Sequence, residues 1–306
     1  MSSCCLEETG FLRSLARLRK VCVARDNPLT AHLPRGPAGA PPAHLLYRWR
    51  LRSDIVGDLA AAEPGDLVDA DLSVHAGVPE ESLSRLATAC RGLEMLSLRG
   101  ATSLAGARLL DACGARLTSL SLVGCEFAPG GSLLAAGSPN SLGRLSRLSV
   151  QRCRAAPGGA LGHEEVLGIV RRCVGLRDLD VAETGLELTE GALALPPLLE
   201  KLNTSWCPVT DAAAFCRRLV AACPRLREFV WEGANPALTD DDATCLSGLD
   251  GLTRLVLSFA GDRRPKRMTY RAWSVLRAKG RSLRLFAHVT QTAKGRRESS
   301  CELMRG

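Results

Sequence analysis

Candidate chemistry in this chain begins with His163-Glu164-Glu165 and with the cysteines. Three adjacent groups of this kind could ligate a metal, but neighbours on a helix point about 100° apart and cannot converge on one ion. They read instead as the charged first turn of a helix. Thirteen cysteines form an odd set, follow no signal peptide, and mostly recur at fixed structural places. They read as reduced, buried thiols packing as small hydrophobes, the usage of cytosol or nucleus. Cys4-Cys5 lacks the Gly at position 2 of an acylation signal and reads as a frayed terminus. Gly158, Gly159 and Gly162 do not make a dinucleotide loop, and no G-x-S-x-G, Walker loop or H-E-x-x-H occurs. No catalytic residue, metal ligand or cofactor is therefore expected, and the chain reads as non-enzymatic.

The elements that must position these thiols are visible in the leucines. Leu226, Phe229 and Trp231 occupy the apolar places of an L-x-x-L-x-L unit, and Leu252, Leu255 and Leu257 occupy them again 26 residues later. The frame runs backwards through Leu199, Leu202 and Thr204; Leu176, Leu179 and Val181; Leu145, Leu148 and Val150; Leu117, Leu120 and Leu122; and Leu93, Leu96 and Leu98. Successive starts lie 24, 28, 31, 23, 27 and 26 residues apart. This is the spacing of leucine-rich repeats: a short strand with alternate residues inward, a turn, and an amphipathic helix behind it. One unit cannot bury its apolar side alone, so copies must stack. The expectation is an α/β leucine-rich-repeat solenoid, a horseshoe with a parallel concave sheet and helices on the convex side. It has seven clear repeats, an eighth at Leu67 to Val74 and a ninth at Leu283 to Phe286. Inserts at Ala128 to Asn140 and Ala155 to Gly162 account for the long third and fourth intervals.

Cys125, Cys153 and Cys207 close L-x-L-x-x-C units, and Cys90, Cys113, Cys173 and Cys223 stand three or four residues before the next strand's first Leu. With Val209-Thr210-Asp211 and Leu238-Thr239-Asp240, residues 66 to 290 resemble the cysteine-containing leucine-rich repeat of F-box/leucine-rich-repeat and antagonist-of-mitotic-exit proteins. That resemblance implies the substrate-binding component of a cullin-RING ubiquitin ligase of Skp-cullin-F-box type. A structural or regulatory scaffold unrelated to ubiquitin is the alternative.

The ends carry different signals. Phe11 to Arg25 shows a helical face through Phe11, Leu12, Leu15, Leu18 and Cys22. Its SLARLRKVC stretch resembles the second half of an F-box, without the first half upstream. Asn27 to Pro42 is a Pro- and Gly-rich linker, and His44 to Ala62 resumes a helical pattern, so residues 1–65 are expected to be a helical cap. Such helices could dock a ubiquitin-ligase linker protein. Residues 66–259 hold 18 basic and 23 acidic residues, a net charge of −5, whereas residues 260–306 hold 13 and 3, a net charge of +10. Arg263, Arg264, Lys266 and Arg267 resemble a nuclear-import cluster, and residues 291–306 read as a basic disordered tail. Cytoplasmic or nuclear placement follows. No apolar run approaches the roughly 18 residues of a membrane span. The acidic repeat body, with few aromatic residues, argues against nucleic acid as the main ligand.

Geometry places the binding face. Residues between the inward leucines project from the concave surface: Ser97, Ser121, Ser149, Asp180, Asn203, Val230 and Val256 in a central row. Arg99, Gln151, Ser205 and Glu232 flank it on one side, and Arg147, Asp178, Lys201, Glu228 and Arg254 on the other. Such a surface suits a protein or peptide partner, and Asp178, Asp180, Lys201, Glu228 and Glu232 give it a negative sign that attracts Lys or Arg. Asp180 and Glu232 read as exposed charges whose reversal leaves stability nearly unchanged.

Overall fold

The computed structural model describes residues 20–23, 44–47, 56, 60, 66–72, 80–102, 104, 107–128, 142–155, 159–160, 163–188, 195–233, 239–260, 274–276, 284–290 and 299–303. In chain order the strands are β1 Lys20–Val23, β2 His44–Tyr47, β3 Asp69–Leu72, β4 Met95–Arg99, β5 Ser119–Val123, β6 Glu126–Phe127, β7 Arg147–Ser149, β8 Arg154–Ala155, β9 Gly159–Ala160, β10 Asp178–Asp180, β11 Lys201–Asn203, β12 Glu228–Trp231, β13 Arg254–Ala260, β14 Arg284–Thr290 and β15 Ser299–Leu303. The helices are α1 Glu80–Ala89, α2 Ala107–Cys113, α3 His163–Arg172, α4 Ala212–Ala222 and α5 Asp240–Leu246. The chain divides into two compact units, Met1–Leu145 with Cys153–Gly159, and Ser146–Arg152 with Ala160–Gly306.

In the first unit the sheet order is β2-β1-β3-β4-β5, all parallel. Ala70, Leu96 and Leu120 stand opposite one another, as do Leu72, Leu98 and Leu122, and all six are buried. In the second the order is β7-β10-β11-β12-β13-β14-β15, parallel except for the last pair. Here Leu148, Leu179, Leu202, Phe229 and Leu255 align in a single buried column. The helix-bearing repeats thus stack in the register read from the leucine frame, and the chain is an α/β leucine-rich-repeat solenoid. One backbone device recurs at each strand's entry. A single carbonyl accepts two successive N–H groups of the next repeat: Ser146 from Arg177 and Asp178, Arg177 from Glu200 and Lys201, and Glu200 from Arg227 and Glu228.

The helices start where the sequence supplies caps. Asp211 accepts from the Ala214 N–H at 2.9 Å ahead of α4, and Thr239 with Asp242 forms a reciprocal capping box at α5. Phe215 of α4 meets Trp231 edge-on at 5.4 Å between ring centroids and Phe229 at 6.2 Å, placing an aromatic cluster where α4 covers β12. Thr204 and Trp231 bring polar atoms into this core. Both are fully buried, and the Thr204 hydroxyl and Trp231 Nε1 have no hydrogen-bond partner.

Of the thirteen thiols, Cys90, Cys113, Cys125, Cys153, Cys173, Cys207, Cys216 and Cys223 are free and buried, and Cys245 is free and half-buried. Burial pushes Cys90, Cys113, Cys173 and Cys223 up to about 12, and Cys125 up to about 11, so none is a thiolate near neutrality. The thiols before each strand share a backbone role. The carbonyls of Cys90, Cys113, Cys173 and Cys223 accept from Leu93, Leu117, Leu176 and Leu226, the first leucine of each unit. Two of those after the strand reach back one repeat, Cys153 Sγ to the Leu122 carbonyl and Cys207 Sγ to the Val181 carbonyl.

The two ends depart from the expected helical cap and disordered tail. Within residues 1–65, Lys20–Val23 and His44–Tyr47 are strands that extend the sheet from β3, while Val56 and Ala60 are helical and buried. The reason is local. KVCV and HLLY are short apolar runs, with two valines in the first and a tyrosine in the second; the open edge of β3 offers β1 a hydrogen-bonding template, and β1 offers the next to β2. Within 291–306, Ser299–Leu303 pairs antiparallel with β14, covering what would be an open edge. The segment 11–19, the linker 27–42 and the basic cluster at Arg263, Arg264, Lys266 and Arg267 lie outside the described residues.

Two outcomes follow for the core. Titration of thiols in denatured protein should count close to thirteen and native protein far fewer, whereas several disulfides would overturn the reading of reduced core thiols. Thr204→Val removes an unpaired buried hydroxyl at constant shape and should stabilise by about 1 kcal/mol, while Leu179→Ala should destabilise by about 2 to 5 kcal/mol in thermal or denaturant unfolding.

Candidate functional site

The face of the second sheet opposite α4 is built by the residues that alternate with the buried column. Strand pairing sets Arg147, Asp178, Lys201, Glu228 and Arg254 side by side in one row, and Ser149, Asp180, Asn203, Val230 and Val256 in the next. Arg147, Lys201 and Arg254 are exposed, whereas Asp178, Asp180, Asn203 and Glu228 are half-buried. The third row holds Gln151 and Glu232, both half-buried, with Ala182 and Ser205 buried between them. Val256 is also buried, so the central row is not solvated along its whole length. Arg99 is exposed at the end of β4 in the other unit.

The first row alternates in sign and largely neutralises itself. Glu228 takes Lys201 at 2.7 Å and Arg254 at 3.5 Å, and the Lys201 ammonium holds its carboxyl below the usual range. Asp178 sits between Arg147 and Lys201, yet burial outweighs both and raises its carboxyl. Such partly exposed pairs add little to stability; they fix where charge is presented.

Asp180 is not the free surface charge that its place in the repeat suggested. Its Oδ1 accepts from the Ala182 N–H at 3.0 Å. Burial raises its carboxyl, opposed by that amide and by the Asn203 side chain. Asn203 Oδ1 in turn accepts from the Ser205 N–H at 3.1 Å and the Ser205 hydroxyl at 2.7 Å, and Ser205 Oγ accepts from the Glu232 N–H at 3.1 Å. A chain of polar side chains thus stitches the strand ends together. Reversing Asp180 would break it, so the expected neutrality of Asp180→Lys is corrected: a half-buried acceptor would be replaced by a cation facing the Ala182 N–H and the Asn203 side chain.

Residues that the leucine frame did not single out complete this edge. Arg152 and Glu183 form a forked pair, Nε to Oε2 and Nη2 to Oε1, each at 2.8 Å. Trp206 is 51% exposed, an uncommon state for so large an apolar side chain. Its only sequence signal was its place beside Cys207 in the L-x-L-x-x-C unit. Among the described residues, no group of three or more His, Cys, Asp or Glu could hold a metal, and no helix is long and apolar enough to cross a membrane.

No protein-family model matches the sequence, and no curated protein matches it closely enough to count as a relative. Among solved structures, a chain in the crystal structure of the Rad7 and Elc1 complex in yeast superposes with a TM-score of 0.52 at 18% identity, covering 75% of this chain and 58% of that one. The leucine-rich repeat-containing protein LegL7 from Legionella pneumophila aligns with a TM-score of 0.40 at 13% identity over 78% of this chain and 79% of that one. This chain therefore spans less than two thirds of the matched chain of the Rad7–Elc1 structure. At these identities the likeness is one of fold, and the fold is that of a leucine-rich-repeat solenoid.

Proposed function

We propose that this chain is a non-catalytic protein-recognition module that binds a protein or peptide partner on the exposed face of its second sheet. The observation that carries this reading is the in-register placement of Arg147, Asp178, Lys201, Glu228 and Arg254 beside Asp180, Asn203 and Glu232. Strand spacing of about 4.8 Å makes them neighbours on a preformed surface, with alternating charge that specifies register and no deep apolar cavity called for. The finer form of the proposal is a substrate-binding component of a cullin-RING ubiquitin ligase acting in cytoplasm or nucleus. It is supported by the cysteine columns shared with F-box/leucine-rich-repeat proteins and by the fold shared with a chain of the Rad7–Elc1 structure. The basic cluster at Arg263, Arg264, Lys266 and Arg267 supports the nuclear option.

One observation favours the scaffold reading instead. An F-box is helical, whereas Lys20–Val23, the end of the F-box-like stretch, is a sheet strand continuous with the repeats. Pull-down of the full chain and of a chain lacking residues 1–62 decides between them: a ligase linker protein retained only by the full chain supports the ligase component, and its absence from both supports the scaffold. For the face itself, exchanging Lys201→Glu with Glu228→Lys should leave the melting temperature within a few degrees and weaken a purified partner at least about tenfold. A folded exchange variant that binds the partner as tightly as the parent would remove this face as the recognition surface.

A further inference from the structure

One backbone position repeats at the exit of successive strands, four residues beyond the central inward residue. Gly100, Gly124, Arg152, Glu183, Trp206 and Gly233 occupy it, with φ of 67°, 65°, 57°, 59°, 60° and 112°. The left-handed turn is imposed by hydrogen bonding between repeats. The N–H groups of Gly100, Arg152, Glu183 and Trp206 donate to the carbonyls of Val123, Ala182, Ser205 and Glu232. Glycine adopts this conformation freely, and three repeats use it. Arg152, Glu183 and Trp206 adopt it at a steric penalty, and side chains kept at strained positions mark functional sites.

The side chains at these three positions form one edge of the second unit. Arg152 and Glu183 are joined by their forked pair, and Trp206 is the next in register after Glu183. The indole of Trp206 lies over Gly233, where an added Cβ would come within 2.8 Å of Cδ2 and 2.9 Å of Cε3. Gly233 therefore seats the ring as well as turning the chain, while Trp206 stays exposed to solvent. Glutamates stand on both neighbouring strand exits: the Glu183 N–H donates to the Ser205 carbonyl, and the Trp206 N–H donates to the Glu232 carbonyl. No ion-pair partner of the Glu232 carboxylate occurs among the described residues, whereas Glu228 in the first row is already held by two cations.

We infer that Trp206, with Glu183 and Glu232, is the anchor site for an arginine or lysine side chain of a basic protein segment. The exposed indole offers a cation–π contact, and the glutamates on the two neighbouring strand exits offer charge complementarity, a combination that favours Arg over a neutral anchor. Arg152 holds one carboxylate in place and leaves the edge net negative. This rests on the reading of the chain as a recognition module, and it specifies which edge of the face binds and by what chemistry.

The test uses the full chain and a short fluorescein-labelled Arg-Gly repeat peptide, with a Glu-Gly repeat peptide as control, followed by fluorescence anisotropy. The parent should bind the Arg-Gly peptide and not the control, more weakly as salt rises. Trp206→Gly relieves the backbone strain and removes the ring, so it should melt at or above the parent's temperature yet bind the peptide about tenfold more weakly. Glu232→Gln should weaken binding and flatten its salt dependence. If the parent shows no preference for the cationic peptide, or if Trp206→Gly and Glu232→Gln both bind it like the parent, the anchor is overturned. Retained peptide binding by Trp206→Gly with loss of a partner in the Lys201/Glu228 exchange would sink the anchor alone and leave the recognition reading standing.

Discussion

Everything in this fold depends on one register. A strand of three to five residues has no stability of its own, and its central leucine is buried only if the same residue of the next repeat stands beside it. The doubled hydrogen bond at each strand entry, one carbonyl taking two successive N–H groups, pins that alignment before any side chain contributes. Because side chains alternate with a period of two, a slip by one residue would turn the leucine column outward and the charged rows inward. The order of Arg147, Asp178, Lys201, Glu228 and Arg254 on the exposed face is thus a by-product of packing Leu148, Leu179, Leu202, Phe229 and Leu255 on the other.

The thiols follow from the same constraint. After β4, β5, β7, β10, β11 and β12 the chain turns through a left-handed residue and must bring the next one under the sheet in little space. A small side chain that tolerates burial and offers a weak donor suits that place. Cysteine does so at positions 125, 153 and 207, and Thr184 does so in the intervening repeat, its hydroxyl donating to the Val181 carbonyl at 2.7 Å. Their shared requirement is small size and a donor that joins a backbone carbonyl at the strand exit, and burial keeps the thiols protonated and chemically inert.

The repeat body was legible because its signal is periodic, and the pairing of Leu96 with Leu120 or Leu202 with Phe229 could be written from spacing alone. The ends were not, because KVCV and HLLY are too short for periodicity to separate strand from helix, and only pairing on the edges of β3 and then β1 decides between them. Ser299–Leu303 was hidden for a related reason: its antiparallel pairing with β14 lies outside the repeat pattern. The candidate face was legible as rows, but the inertness of its first row was not, since alternation of sign across strands needs the pairing of Glu228 with both Lys201 and Arg254 to be seen. The strained turn was invisible because Arg152, Glu183 and Trp206 are residue types that carry no left-handed signature.

Departures from the repeat's own rules gather in the strand that starts at Lys201. Thr204 stands where other repeats place Leu or Val, and its smaller side chain lies in line with the large Trp231 of the next strand, an exchange of volume that keeps the layer filled. That exchange leaves a hydroxyl and an indole N–H unpaired in the core, at a cost of about 1 to 3 kcal/mol each. One residue on, Ser205 is buried and engaged with Asn203 and the Glu232 N–H; the next, Trp206, is strained and exposed. Three consecutive residues here depart from the repeat's pattern, next to the strained Arg152 and Glu183 of the preceding repeats. In a solenoid, where each repeat answers mainly to its neighbours, such a break is confined to the repeat that bears it, so Thr204, Ser205 and Trp206 can depart from the pattern while Leu202 keeps the stack in register.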